Sequence, residues 1–224
     1  MKELSKTKFS KEEAEHLFFT SDSHFNHSNI IKFCKRPFKD TKEMDEILIK
    51  NWNNVVGPDD TIFHLGDFAF GGSEVWSNVL KQLNGHKILI VGNHDDKNLR
   101  QGYMQYFDAV VYQAKLLIDN RIVYLNHYPF LCYGGSYRTE KGAVWQLHGH
   151  VHSGSNSTGL DSDRLKYCFP YQYDVGVDNN NFTPVSWTQI KDIISKQANN
   201  KESCWSKLLK LLRFHTIPDK VYQQ

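Results

Sequence analysis

Histidine and aspartate residues recur along this chain in short motifs, each at the end of a segment that is typical of a β-strand. In chain order the motifs are Asp22-Ser-His24, Gly66-Asp67, Gly92-Asn93-His94-Asp95, an isolated His127 and Gly149-His150-Val-His152. A single motif of this kind also arises by chance where a strand end is capped. Five in one chain are poorly explained by chance, and histidine is the commonest metal ligand in proteins. The motifs therefore predict a metal site.

The spacing and the donor atoms predict that this site holds two ions. Residues i and i+2 of a strand point to the same face, so we expect Asp22 and His24 to hold one ion together, and His150 and His152 to act in the same way. Imidazole, carboxylate and amide donors without a thiolate favour Mn²⁺, Fe²⁺/Fe³⁺, Zn²⁺, Co²⁺ or Ni²⁺ over Mg²⁺ or Ca²⁺. Seven candidate ligands are too many for one ion. Glycines directly before ligands would let the backbone approach the ions closely, at Gly66, Gly92 and Gly149.

Segments of strand and helix type alternate between the motifs. Apolar runs predict strands over 16–21, 61–67 and 87–92, and later over 109–113, 115–118, 121–126 and 173–177. Apolar residues at helical spacing predict helices over 40–52, 74–83 and 184–197. Ser10 and Glu13 predict a capping box at the start of a short helical turn. Strands that alternate with helices and then dominate indicate an α/β protein with a mixed sheet.

The composition indicates a globular protein with a near-neutral charge. The 27 Lys and Arg residues against 25 Asp and Glu give a formal net charge of +2, which does not support nucleic acid binding and leaves nucleic acid open as a substrate. A hydrophobic content of 40% excludes intrinsic disorder, and no run approaches the ~20 apolar residues of a transmembrane segment. The four cysteines are widely spaced, which indicates reduced thiols and predicts a cytoplasmic location. The oligomeric state is not indicated.

The chain is predicted to form one main domain with two short extensions. No linker interrupts residues 16–197, which follow a charged N-terminal extension over 1–15. Residues 198–224 form a basic C-terminal extension in which one helical face is apolar, through Trp205, Leu208, Leu209 and Leu212. We expect this face to pack on the domain, and the alternative is a helix that binds a partner or a membrane surface.

The motif order D-x-H, G-D, G-N-H-D, H and G-H-x-H resembles the calcineurin-like metallophosphoesterase superfamily over residues 16–190. The segments FFTSDSHFNHSNIIKF, HLGDFAF and DVGVDNNNFTPVS are similar to small bacterial and phage-borne members. The resemblance implies an α/β fold, a four-layer αββα sandwich of two mixed β-sheets flanked by helices. It implies two divalent transition-metal ions, with Mn²⁺ favoured. The implied ligands are Asp22, His24 and His152 for one metal, Asn93, His127 and His150 for the other, and Asp67 as the bridge.

The resemblance also implies a reaction, the hydrolysis of a phosphodiester bond by attack of a metal-bridging hydroxide. Two divalent ions supply +4, Asp22 and Asp67 remove 2, and the hydroxide removes 1, so about +1 remains to receive a phosphoester anion. His94 would protonate the leaving oxygen or stabilise charge in the transition state. Asp95 would either orient His94 or cap a helix.

One departure from the superfamily pattern narrows the range of expected substrates. Its protein phosphatases and dinucleoside-polyphosphate hydrolases carry G-D-x-x-D-R-G, whereas Phe70 and Gly71 occupy the Asp and Arg positions here. This disfavours those two substrate classes and favours a phosphodiester, with a nucleotide or cyclic nucleotide as the expected substrate. The alternatives are a phosphomonoesterase that acts on a nucleotide or sugar phosphate, and a non-catalytic metal-binding scaffold.

Three side chains are predicted to contact the substrate, namely His27, Arg36 and Arg138. For His27 a hydrogen bond within its loop is an equal alternative. Aromatic residues between His127 and His148 line the cleft or pack on the domain, and these are Tyr133, Tyr137 and Trp145. His64 and His148 are expected to support the ligands rather than to bind metal.

Overall fold

Two five-stranded β-sheets form the centre of the molecule. The computed structural model describes residues 2–136, 138, 143–154, 168 and 170–212, with the backbone alone for 103 and 200–212. The strands are β1 (Lys8–Phe9), β2 (Leu17–Thr20), β3 (Thr61–His64), β4 (His86–Ile90), β5 (Ala109–Val111), β6 (Gln113–Ile118), β7 (Arg121–Asn126), β8 (Trp145–His148), β9 (Gln172–Asp174) and β10 (Val185–Ser186). The helices are α1 (Lys11–Ala14), α2 (Ser28–Phe33), α3 (Thr41–Val55), α4 (Ser73–Leu80), α5 (Asp96–Leu99) and α6 (Trp187–Leu212), with 3₁₀ turns at Tyr103–Tyr106 and Val177–Asn179.

Both sheets are mixed, which confirms the predicted α/β architecture. The first sheet has the order β10-β2-β3-β4-β5, with β2 to β5 parallel and β10 antiparallel. The second sheet has the order β1-β6-β7-β8-β9, in which only the β6–β7 pair is antiparallel. The parallel pairs matter for function, because the carboxyl ends of β2, β3 and β4 lie together at one edge.

The alternation of side chains along the strands creates two hydrophobic cores. In β3, Phe63 points into the core between the two sheets, whereas its neighbour Ile62 points to the core beneath the helices. The Phe63 ring stacks on Phe19 at 5.4 Å between centroids and meets Phe9 edge-on at 6.2 Å. Helices α3 and α4 cover the other face of the first sheet, for example through Trp52 and Trp76. Both strand faces are therefore buried, which is why these strands read as continuous apolar runs.

Several elements differ from the sequence-based expectation. Helix α2 was not predicted, and strand β8 was expected before His150 without stated bounds. The last predicted strand ends at Asp174, where a 3₁₀ turn soon follows. The capping box at Ser10 is present, with both of its hydrogen bonds to Glu13. Part of the predicted N-terminal extension joins the second sheet as β1, which pairs with β6.

The C-terminal helix α6 is continuous from Trp187 to Leu212 and crosses the predicted domain boundary at 197/198. The side chains of the predicted apolar face after that boundary lie outside the described part of the chain. The domain limits therefore stay predictions. Among the described helices, none combines the length and the apolar character that crossing a bilayer requires.

The contact between the sheets predicts a large effect of core truncation. The substitution Phe63→Ala removes a fully buried ring and should lower the free energy of unfolding by about 3–5 kcal/mol, because the cavity cannot close completely. Urea denaturation followed by circular dichroism measures this loss. The control Leu131→Ala removes a side chain that is 81% exposed and should change stability by less than about 0.5 kcal/mol. Equal losses in the two variants would contradict the core assignment.

Candidate metal centre

The five sequence motifs meet where the carboxyl ends of the strands of both sheets come together. Asp22 follows β2, Asp67 follows β3 and Asn93 follows β4 in the first sheet, while His127 follows β7 and His150 follows β8 in the second. The two sheets are joined at this edge, because the backbone N–H of His150 donates to both carboxylate oxygens of Asp22 at 2.9 and 3.1 Å. Strand ends of this kind are where ligand sites form in parallel sheets.

Two groups of side chains converge here with the geometry of metal ligands. The donor atoms of Asp22, His24 and His152 all lie within 4.8 Å of one another. The donor atoms of Asp67, His127 and His150 form a second such group.

Asn93, the seventh predicted ligand, joins the second group. Its Oδ1 lies 2.9 Å from His127 Nε2. The structure therefore brings all seven residues together in two groups.

Asp67 lies between the two groups. Its Oδ2 is 3.6 Å from Nε2 of His24 in one group and 3.5 Å from Nε2 of His127 in the other. A single carboxylate can therefore reach ions held by both groups.

Two of the histidine rings, those of His127 and His152, are held so that Nε2 is presented to the site. Nδ1 of His127 lies 2.8 Å from the carbonyl of Leu65, and Nδ1 of His152 lies 2.8 Å from Asp178 Oδ2. When Nδ1 carries the proton toward these acceptors, Nε2 keeps a lone pair. The lone pair of His127 then faces Asn93 Oδ1, which is also an acceptor, and a shared cation would satisfy both atoms.

The burial and charge of the site also fit bound cations. Nε2 of His24 is buried and has no hydrogen-bond partner within the described residues, while burial lowers the pKa of this ring well below its usual range. Burial raises the pKa of Asp22 to about 6. Burial alone would lower the pKa of His152, but Asp22 and Asp178 outweigh it and raise it to about 11. A divalent cation would replace the proton that this surplus of carboxylate holds on His152.

Five of the seven predicted ligands have left-handed backbone conformations and do not lie in strands. The φ angles of Asp22, His24, Asp67, His150 and His152 are 57°, 50°, 57°, 70° and 45°. The expectation that residues i and i+2 share a strand face is therefore wrong, because β2 ends at Thr20 and β8 at His148. Such conformations are costly for non-glycine residues and concentrate at functional sites.

The glycines before the ligands make room for ligand side chains. A Cβ on Gly149 would lie 2.0 Å from Ser21 Oγ and 2.3 Å from Asp22 Oδ2. A Cβ on Gly66, which has a φ of +97°, would lie 2.6 Å from Nδ1 of His127. These glycines therefore let the loops of the two sheets come into contact, which is how the two groups of ligands meet.

Comparison with known proteins identifies the family. The family model for calcineurin-like phosphoesterases matches residues 16–210 of the chain. The chain belongs to the calcineurin-like phosphoesterase family. This membership implies a hydrolase that acts on phosphoester bonds with a dinuclear divalent metal centre, and the two groups of histidine and aspartate side chains could hold it.

The relatives of this family member include archaeal and phage proteins. It is 33% identical to an uncharacterized protein of Methanocaldococcus jannaschii over 184 residues, which cover 80% of this chain and 92% of that protein. It is 30% identical to the gene 66 protein of Mycobacterium phage L5 over 61% of this chain and 77% of that protein. A solved structure of a protein of unknown function from Aquifex aeolicus superposes with a TM-score of 0.59 at 26% identity, covering 79% of this chain and 98% of the other.

Asp95 has a different role in this phosphoesterase from either one predicted. Its carboxylate accepts hydrogen bonds from the backbone N–H groups of Asp67, Phe68 and Gly92 at 2.8–2.9 Å, and it makes no side-chain cap of α5. Burial and the nearby charge of Asp67 raise its pKa to about 7. Its carboxylate makes no hydrogen bond to His94 in the described part of the chain, so the prediction that Asp95 orients His94 is corrected. It ties the loop that carries Asp67 to the loop that carries Asn93.

Arg36 is likewise not a substrate contact. Its guanidinium is buried and forms a two-pronged ion pair with Asp178, with both N–O distances at 2.8 Å. It also donates to the backbone carbonyls of Asp22 at 2.7 Å and Ser23 at 2.9 Å. The prediction that Arg36 binds substrate is therefore wrong, because its donors are directed into the protein.

Asp178 was not predicted, although it lies in the segment DVGVDNN that carried part of the resemblance. It links Arg36 to Nδ1 of His152 and so orients a predicted ligand. Cys34 also lies close, since its sulfur belongs to a third group of possible donors with His152 and Asp178. Neither Asp178 nor Cys34 belongs to a short motif with a predicted ligand, so nothing in the sequence indicated that they lie beside His152.

The remaining predicted residues differ in their position relative to the site. His27 is half-buried beside the site, with its Nδ1 3.3 Å from Nδ1 of His24 and its ring stacked on Phe70 at 3.8 Å. Arg138 is exposed, and its backbone N–H donates to Gly135. His64 is buried against Ser23, with 2.9 Å between Nε2 and Oγ, as a supporting residue would be. The substrate roles of His27 and Arg138 stay predictions, and Tyr137 lies outside the described residues.

The contacts of Asp178 predict its contribution to metal binding. The substitution Asp178→Asn removes the charge that orients His152 while keeping the shape of the side chain, so metal affinity should fall about 10–100-fold. Titration with Mn²⁺ followed by isothermal calorimetry measures the affinity. The control Asp119→Asn removes a carboxylate that pairs only with Lys191 near the surface, at 3.2 Å in the described structure, and should leave the affinity unchanged. Unchanged affinity in Asp178→Asn would show that this carboxylate does not orient a ligand.

Proposed function

We propose that this chain hydrolyses phosphodiester bonds, with a nucleotide or cyclic nucleotide as substrate. The observation that carries the proposal is the position of Asp67 Oδ2, at 3.5–3.6 Å from an imidazole nitrogen of each ligand group. Asp22, His24 and His152 would hold one ion, and Asn93, His127 and His150 the other. Asp67 would bind both.

Two divalent ions at this position would polarise the phosphoryl oxygens and lower the pKa of the attacking water. Imidazole-rich donor sets favour transition metals, and we propose Mn²⁺ as the preferred ion. The protein would hold the ions in position and shield them from bulk solvent, since four of the ligands are at most 2% exposed, namely Asp22, His24, Asp67 and His127.

His94 would act as the acid for the leaving oxygen. Its backbone N–H donates to Asp67 Oδ1 at 2.9 Å, which fixes the residue beside the bridge. Its imidazole is 46% exposed, and its Nε2 lies 3.9 Å from Asp67 Oδ2. The ring is thus accessible from solvent and close to the proposed bridging carboxylate, which suits a proton donor to a substrate bound there.

The residues at positions 70 and 71 support a diester rather than a monoester. Phe70 packs beside His94 at 5.0 Å between ring centroids, and Gly71 follows it. Neither residue offers a positive charge, although these positions carry Asp and Arg in the phosphatases of the superfamily. The single negative charge of a diester needs less compensation than the dianion of a monoester.

The proposed function predicts metal-dependent turnover of a model diester. After chelation the protein should not hydrolyse bis-p-nitrophenyl phosphate, and re-addition of Mn²⁺ should restore turnover to a rate above that for p-nitrophenyl phosphate. Release of p-nitrophenol measures both reactions. Faster turnover of the monoester would instead identify a phosphomonoesterase. If the protein binds two ions and hydrolyses neither ester, the result would favour a metal-binding scaffold.

The role of His94 predicts a loss of turnover without loss of metal. In His94→Ala, kcat on the diester should fall by about 10²–10⁴-fold, since that is the usual contribution of a general acid. Metal content, measured by plasma mass spectrometry, should equal that of the wild type. His86→Ala, which removes an exposed imidazole at the opposite end of β4, serves as the control. Loss of metal from His94→Ala would show that His94 is a ligand instead.

A further inference from the structure

A cavity of about 660 Å³ opens beside His94. One wall is the segment Phe70–Gly72, which leads into α4, and the other is formed by α5 and the residues around it. Asn93 and His94 belong to its lining, so the cavity is continuous with the metal centre. This volume is within the range of clefts that bind small molecules.

The lining of the cavity favours an anion. Lys97 and Arg100 both contribute to it, and both are exposed. Asp96 is the one carboxylate among the described lining residues, and its Oδ1 accepts a hydrogen bond from Tyr112 at 2.9 Å. Nε of Arg100 donates to the backbone carbonyl of Asp96 at 3.4 Å. The lining therefore carries two cations against one carboxylate that already accepts a hydrogen bond from a hydroxyl group.

The opposite wall contains the N-terminal end of helix α4. Gly72, the N-cap of this eight-residue helix, belongs to the cavity lining. Glu74 in the first turn offsets the partial positive charge of the helix end, so Lys97 and Arg100 carry the preference for an anion.

We propose that this cavity binds a second phosphate group of the substrate, which lies beyond the leaving oxygen. The inference rests on the proposed function, in which His94 protonates that oxygen. Because His94 stands at the boundary between the metal centre and the cavity, whatever is attached to the leaving oxygen enters the cavity. Lys97 and Arg100 then select diesters that carry a further phosphate, such as a phosphorylated dinucleotide, over a cyclic mononucleotide. A phosphate that meets these two cations gains charge-assisted hydrogen bonds.

The test compares dithymidylate without a terminal phosphate, TpT, with the forms that carry one at either end, pTpT and TpTp. With the Mn²⁺-loaded protein, kcat/KM for one of the phosphorylated forms should exceed that for TpT by about tenfold or more. In the double variant Lys97→Met/Arg100→Met the ratio should fall to about one, since methionine keeps the apolar stem and removes the charge. The control Lys81→Met removes an exposed cation that follows α4 outside the cavity lining and should keep the wild-type ratio.

Equal kcat/KM values for the three dinucleotides would overturn the inference, and so would a preference that survives in the double variant. The failure of the proposed function is separate, because it appears as absent turnover of bis-p-nitrophenyl phosphate by the wild type. In that event, calorimetric titration of the Mn²⁺-loaded protein with pTpT, TpTp and TpT makes the same comparison through binding. Tighter binding of a phosphorylated form, lost in the double variant, supports the inference, and equal binding overturns it.

Discussion

Buried carboxylate charge at the junction of the two sheets is the constraint on which the rest of the structure depends. Asp22, Asp67 and Asp95 are each at most 2% exposed, and an uncompensated buried charge is very costly. Three backbone N–H groups compensate Asp95, and Arg36 compensates the nearby Asp178. Asp22 and Asp67 receive only partial compensation from backbone groups. Their remaining charge is what a pair of divalent cations would neutralise.

The same contacts hold the ligand loops in conformations that they would not adopt alone. The backbone N–H of Asp22 donates to Gly66, and that of His24 donates to Asp67, so the loops after β2 and β3 support one another. Asp95 adds the loop after β4 to this arrangement. The strained φ angles of the ligands persist because several independent contacts determine each loop. The geometry is thus built into the folded protein, which limits the reorganisation needed when substrate binds.

The sequence predicted which side chains meet at the site better than it predicted their local geometry. Donor types are visible in short motifs, so Asp22, Asp67 and His150 could be proposed as ligands from these motifs and the family resemblance. The left-handed turns that position them could not, because they depend on contacts between the two sheets, such as the close approach of Gly149 to Ser21. The fold class was predictable because apolar periodicity is local, whereas short elements such as α2 have little periodicity to detect.

The residues that support the predicted ligands were the least predictable part of the site. The ion pair between Arg36 and Asp178 joins residues 142 positions apart, and neither residue lies in a motif from which the other could be predicted. A lone arginine near a predicted site suggested phosphate binding, and only the structure showed its donors turned inward. Asp95 was assigned to its sequence neighbour His94, whereas its hydrogen bonds go to Gly92 and to the backbone of a loop 27–28 residues away.

The number and position of bound ions test the proposed two-metal centre most directly. Anomalous diffraction from crystals grown with Mn²⁺ should show two peaks on either side of Asp67, separated by roughly 3.5–4 Å as in other two-metal sites. One peak should contact Asp22, and the other should contact His127. A single peak, or a peak held instead by Cys34, His152 and Asp178, would contradict the assignment of a shared carboxylate between two ions.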